Sequence, residues 1–145
     1  MGEIHKGSLP KTYIDELSYA FELSGAYPAT FTNAAGAFVA PFALAILDVI
    51  LVVEQPGSGG YTEIDLVAGS PDGALATVLS TKPRVPGNSG VWGMSGVTAG
   101  GQAAVVDPAK RNWAKGTIMS VNITSDVNQP SGASSATVIV RYRRT

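Results

Sequence analysis

Three stretches of this chain alternate between inward-suited apolar side chains and smaller or polar ones. Leu17, Tyr19, Phe21 and Leu23 alternate with Glu16, Ser18, Ala20 and Glu22. Thr117, Met119, Val121 and Ile123 alternate with Ile118, Ser120, Asn122 and Thr124, and Val138, Val140 and Tyr142 alternate with Thr137, Ile139, Arg141 and Arg143. A period of two places one set on a buried face and the other toward solvent or a partner, which predicts strands over 16–23, 117–124 and 136–144.

Between them the pattern is less regular. Phe42–Glu54 is apolar on both faces around Asp48, so periodicity alone does not separate a strand from a helix. Five Val and Ile residues among positions 46–53 favour the strand, buried by the core on one side and by a neighbour or covering loop on the other. Gln55–Gly60 (QPGSGG) reads as a turn, and Tyr61–Val67 as a strand returning to form a hairpin with the one before it. Phe38–Pro41 reads as a turn or the start of a strand. Ala74–Thr81 reads as a strand or a helical turn, with the strand preferred, and Lys82–Gly90, with two prolines and two glycines, as loop. Val91–Val97 and Gln102–Val106 read as short strands around Gly100 and Gly101. Asp107–Gly116 has Asp before Pro, helix formers and a terminal Gly, which predicts one or two helical turns. The sum is about eight strands joined by Gly/Pro/Ser/Asn loops: an all-β, antiparallel β-sandwich of the jelly-roll kind. Residues 1–14 show no period and read as an extended N-terminal arm, disordered alone or ordered on a partner, ahead of one domain over 15–145.

Composition narrows what such a domain does. Only 14% of the 145 residues are charged, against roughly 25% in an average soluble domain, so the surface can pack against neighbours at little desolvation cost. Met1–Pro10 lacks the apolar core of a secretory signal, and the 13-residue run Pro41–Val53 is shorter than the roughly 20 residues of a membrane helix. Net charge is −1, yet residues 1–81 hold two basic and nine acidic groups while 82–145 hold eight basic and two acidic. Either the fold interleaves the halves and mixes the charges, or a bipolar subunit meets the next copy acid to base.

Candidate chemistry is sparse. There is no Cys, and the lone histidine, His5, has no neighbour to set its tautomer. The Gly-rich segments 57–60 and 96–101 lack the Lys of a phosphate loop. Glu63 and Asp65 share one strand face, with Glu54 across the expected hairpin; the face reads as solvated or as taking Lys or Arg from another subunit before it reads as a catalytic pair. Trp92 and Trp113 read as core plugs, Trp113 also as an interface anchor beside Lys110 and Arg111. No catalytic residue, cofactor site or metal site is expected.

The order of segments is similar to that of a known family: a long apolar strand (ALAILDVILVVEQ), a Gly-rich turn, YTEIDLVAGS, the loop LSTKPRVPGNSG, then VVDPAKRNWAKGTIMSVNITSDV and a terminal ATVIVRYR. Over about residues 42–144 this resembles the small jelly-roll structural proteins of tailed bacteriophages, found as capsid decoration (cement) proteins and as tail and fibre modules. It departs from them at Lys115-Gly116-Thr117, which lacks an Asp after the Gly, and at Lys82-Pro83-Arg84, where basic residue and proline are reordered. The resemblance implies a virion protein on the outer surface of the head, a homotrimer by family analogy, bound to the major capsid protein. Nucleic acid, membrane and small-molecule substrate are not implied as partners. Interface residues expected on that reading are Ile4, His5, Leu9, Tyr13, Ile14 and Leu17 of the arm and its junction, with Trp113, Arg141 and Arg143. The alternative is a tail-tip module binding receptor or glycan through loop aromatics (Trp92, Trp113, Tyr27 or Phe31).

Overall fold

A computed structural model describes residues 16–27, 36–56, 60–87, 92–125 and 133–145; the expected arm, with Ile4, His5, Leu9, Tyr13 and Ile14, lies outside them, as does Phe31. Among the described residues there are twelve strands: β1 (Glu16–Tyr27), β2 (Phe38–Val39), β3 (Leu44–Gln55), β4 (Tyr61–Gly69), β5 (Ala76–Thr77), β6 (Leu79–Thr81), β7 (Arg84–Pro86), β8 (Gly93–Met94), β9 (Val105–Val106), β10 (Asn112–Trp113), β11 (Ile118–Ser125) and β12 (Ala133–Arg144). Every pairing is antiparallel. One sheet runs β1-β12-β3-β10 with β8 also on β3; the other runs β2-β11-β4-β5 with β7 also on β4, and β6 pairs with β9 separately. Eight strands in these two orders, with β1/β2, β3/β4 and β11/β12 each split between the sheets, form a jelly roll.

That split corrects one expectation. β3 and β4 are not a hairpin: β3 lies in the first sheet and β4 in the second, where it pairs with β11 instead. Glu54 therefore lies on a different sheet from Glu63 and Asp65. Two local readings also change, and a third, the helical turn expected in 107–116, is met with a short strand added after it. The segment 82–90 contains β7, whose Pro86 sits at a strand end where its missing N–H is tolerated. The segment 107–116 holds a single 3-10 turn, Pro108–Lys110, capped by Asp107, whose Oδ1 accepts from Ala109 N at 3.0 Å, and then β10. The strands at 93–94 and 105–106 do not pair with each other: β8 joins β3, and β9 joins β6.

The alternation read in β12 is the burial pattern observed, and β11 follows it except at Ser120, which is buried as well. Met119, Val121, Ile123, Val138, Val140 and Tyr142 are buried, as are Phe21 and Leu23 of β1. β3 shows why its periodicity was ambiguous. Arg141 pairs with Asp48 and Tyr142 with Ile46, so Leu47 is an extra residue in a β-bulge. Leu44 and Ile46 point inward before it, and Val49, Leu51 and Val53 after it. Each such aliphatic side chain contributes about 1.5–3 kcal/mol by leaving water. Around one end of the core Tyr19, Phe21, Phe38, Tyr142 and Phe42 make a run of ring contacts with centroids 4.4–6.2 Å apart.

Candidate interaction surfaces

Glu63 and Asp65 point away from the core of β4, yet both are only 8% exposed. They are covered by the chain's own segment 77–84. Arg84 Nε donates to Glu63 Oε2 at 2.6 Å, Lys82 Nζ lies 3.7 Å from Asp65 Oδ2, and the Thr77 hydroxyl donates to Asp65. The hydrogen bond to Glu63 holds the Arg84 guanidinium above its ordinary pKa, against the opposing pull of desolvation. Arg84 also stacks 4.2 Å above the Tyr61 ring. This corrects the expectation of a solvated face or one that takes a partner's cations: the acids are covered by the chain's own Lys82 and Arg84 and clamp a strap on the outside of the second sheet.

The charge halves are mixed by the fold. Glu16–Arg141, Glu63–Arg84 and Asp65–Lys82 each join an acid of the first half to a base of the second. What mixing leaves over is uneven. Glu22 on β1 and Glu54 on β3 are exposed at one end of the first sheet's outer face. They line an open groove of about 280 Å³ with Val52, Trp92, Ser135 and Thr137. At the opposite end of that sheet Arg143 and Arg144 of β12 stand opposite Ala45 and Leu44 of β3, and Lys110, Arg111 and Lys115 flank β10 in the chain, which pairs with the same two residues from the other side. Between the two ends the same sheet carries half-buried Ile139 and Ile50, paired with each other and with Ala20, and half-buried Asp48 opposite Arg141.

Of the residues expected at an interface, Leu17 is 42% exposed at the start of β1, the edge strand of the first sheet; no strand pairs with its outer side among the described residues. Arg141 is tied to Glu16, whereas Arg143 is exposed. Trp113 packs partly against the core and donates its Nε1–H to the Lys110 carbonyl at 2.7 Å. Its other side lines an apolar groove with Ser70, Pro71, Ala114 and Gly116. Trp92 is no core plug: it is 61% exposed over the Glu22–Glu54 groove. Sequence reasoning missed that groove because Glu22, Glu54 and Trp92 lie on three separate segments. The one available signal was a tryptophan set in a Gly/Pro/Ser loop. Among the described residues no three His, Cys, Asp or Glu side chains are grouped to hold a metal ion.

No protein-family model and no curated protein sequence matches the chain. Solved structures do. A chain from the capsid of Helicobacter pylori bacteriophage KHP30 is 14% identical with a TM-score of 0.44, over 90% of this chain and 90% of that one. A chain of the cyanophage Pam1 capsid is 21% identical with a TM-score of 0.40, over 95% and 92%. A chain of the capsid of Ralstonia phage GP4 is 16% identical with a TM-score of 0.53, over 98% of this chain and 92% of that one. The last of these superpositions shows that the present chain has the fold of that capsid chain along nearly its whole length.

Proposed function

We propose that this chain is a structural protein of a bacteriophage virion, and within that class a capsid decoration protein. It binds the outer surface of the assembled head and bridges major capsid protein subunits. The observation that carries the reading is the fold shared with a chain of the Ralstonia phage GP4 capsid over 98% of this chain. The mechanism is mechanical. The N-terminal arm (residues 1–14, with Ile4, His5, Leu9, Tyr13 and Ile14) and the β1 edge beginning at Leu17 lie across junctions between capsid subunits. An edge strand offers a row of backbone donors and acceptors to a neighbour. The sandwich stands above the shell as one of three copies. Many modest contacts repeated over the lattice hold by avidity, so no deep pocket is required. Low surface charge keeps the desolvation cost of each contact small.

The test is co-sedimentation of the purified protein with undecorated shells of its phage. Saturable binding that raises the shells' disruption temperature is expected; failure to bind at micromolar protein refutes the decoration role. Deletion of residues 1–14 is expected to abolish binding and leave the unfolding transition of the sandwich in place. Normal decoration by the truncated protein would remove the arm from the mechanism.

One observation favours a second reading, a tail module that binds glycan: Trp92 is largely exposed over a groove that also offers Glu22, Ser135 and Thr137. A glycan array separates the two, since micromolar hits abolished by Trp92→Ala would support the tail module.

A further inference from the structure

The Trp92 groove and the basic end of the first sheet are matched in charge and in spacing. Glu22 and Glu54 make no ion pair among the described residues, and neither do Arg111 and Arg143; Arg84, Arg141 and Arg144 are already engaged by Glu63, Glu16 and the Phe42 ring. Glu22 stands on β1 and Glu54 on β3, with β12 between them. Arg143 stands on β12, opposite Ala45 of β3, and Arg111 just before β10, its carbonyl accepting from Ile46 N on the far side of β3. Glu22 is in register with Val52 through Thr137, two residues from Glu54, so the acids stand roughly 12 Å apart, and two strand spacings put Arg111 and Arg143 roughly 10 Å apart. Trp92 completes the acidic site, because a planar guanidinium stacks on an indole while its edge donates to a carboxylate.

The two ends cannot meet within one molecule. Thr137, in the groove, and Arg143 lie six residues apart on one straight strand, which is roughly 20 Å at about 3.4 Å per residue. We infer that the groove formed by Glu22, Glu54 and Trp92 receives Arg143 and Arg111 of a second copy of this chain. As a lateral contact between copies, this rests on the assembly reading above and names the surfaces that make it. The occupant is argued from charge complementarity: of the charges on this sheet that the described ion pairs leave over, those at the groove are acidic and those at the far end are basic, while Asp48 between them accepts a hydrogen bond from Val49 N. Such a contact is heterologous, since each copy uses a groove on one neighbour and an end on the other. It closes only in a ring.

The experiment is sedimentation velocity of the full chain over a micromolar concentration series at low salt. Wild type is expected to reach a single closed oligomer. The groove variant Trp92→Ala/Glu22→Gln/Glu54→Gln and the end variant Arg111→Gln/Arg143→Gln are each expected to sediment as monomers, with association weakened at least about thirtyfold. Mixed, they retain one intact contact and are expected to form a heterodimer that grows no further. Arg143→Lys is expected to restore association only in part, because an ammonium cannot stack and fork at once. All these side chains are exposed, and unchanged circular dichroism and unfolding midpoints check that the variants fold. A monomeric wild type, or an oligomer that neither variant disrupts, overturns the inference. So does an oligosaccharide that binds the groove without altering the wild-type sedimentation. Shell co-sedimentation is read separately, so a monomer that still decorates shells would refute this contact and leave the decoration role standing.

Discussion

Gly93 gives the most direct test of how the two sheets are held at their spacing. It pairs with Val53 in β8 and sits over Val85 of β7, which belongs to the opposite sheet. A Cβ built at Gly93 would lie 2.2 Å from Val85 Cγ1, where carbon atoms normally rest about 3.5–4.0 Å apart. Gly93→Ala must therefore push the sheets or Val85 by roughly 1.5 Å, and an overpacked core of this kind loses about 1–3 kcal/mol. Val85→Ala, at a side chain 1% exposed, removes two methyl groups and costs about 2 kcal/mol. In the double variant the new methyl enters the space the valine vacates. The pair is then expected to cost about 1–2 kcal/mol less than the sum of the single changes. Urea unfolding of the four proteins of the cycle measures this from the midpoints at constant slope. Additivity within about 0.5 kcal/mol would refute the contact, and with it the packing of β7 under β8.

The strap over Glu63 and Asp65 makes a second prediction. Arg84→Met takes the guanidinium away from the mostly buried Glu63 carboxylate and is expected to cost about 1–2 kcal/mol, discounted because the guanidinium is itself partly exposed. Adding Glu63→Gln should recover part of that loss in the same urea experiment. Because Arg84 titrates above its ordinary value, its contribution is complete below that value and is lost only above the raised one. Raising the pH through the neutral range therefore leaves the clamp's cation in place, and a loss of stability there that Arg84→Met abolishes would contradict the assignment. Trp113→Phe removes the Nε1–H bond to Lys110 while keeping most of the ring packing, and is expected to cost about 1 kcal/mol by thermal unfolding.

Much of the fold was legible along the chain because a strand half-buried in a sandwich must alternate. Phe21 and Leu23, Met119 to Ile123 and Val138 to Tyr142 carry that period, and each turns its apolar set inward. The loops were legible from Gly and Pro, whose backbone constraints are local. Neither signal names a strand's neighbour. The connection from Gln55 to Tyr61 has five residues, a reach of up to roughly 17 Å. That spans the roughly 10 Å between sheets as readily as the 4.8 Å between paired strands. Whether β4 turns back on β3 or crosses to β11 was left to the packing of the whole core.

The surfaces follow the same division. Composition and the count of charges determined that this would be a domain poor in reactive groups and uneven in charge from one half to the other. Tertiary structure alone decided where the excess came to rest. It buried Glu63 and Asp65 under Lys82 and Arg84, some twenty residues further on, and paired Glu16 with Arg141 from the other end of the chain. It left Glu22 and Glu54 beside an exposed Trp92. It also decided the bulge at Leu47, which reverses the inward parity of β3 midway. Alternation is a property of one strand's backbone and is written in its own residues. Which strands adjoin, and which charges therefore find each other, depends on contacts between segments far apart in sequence, where no local pattern carries the information.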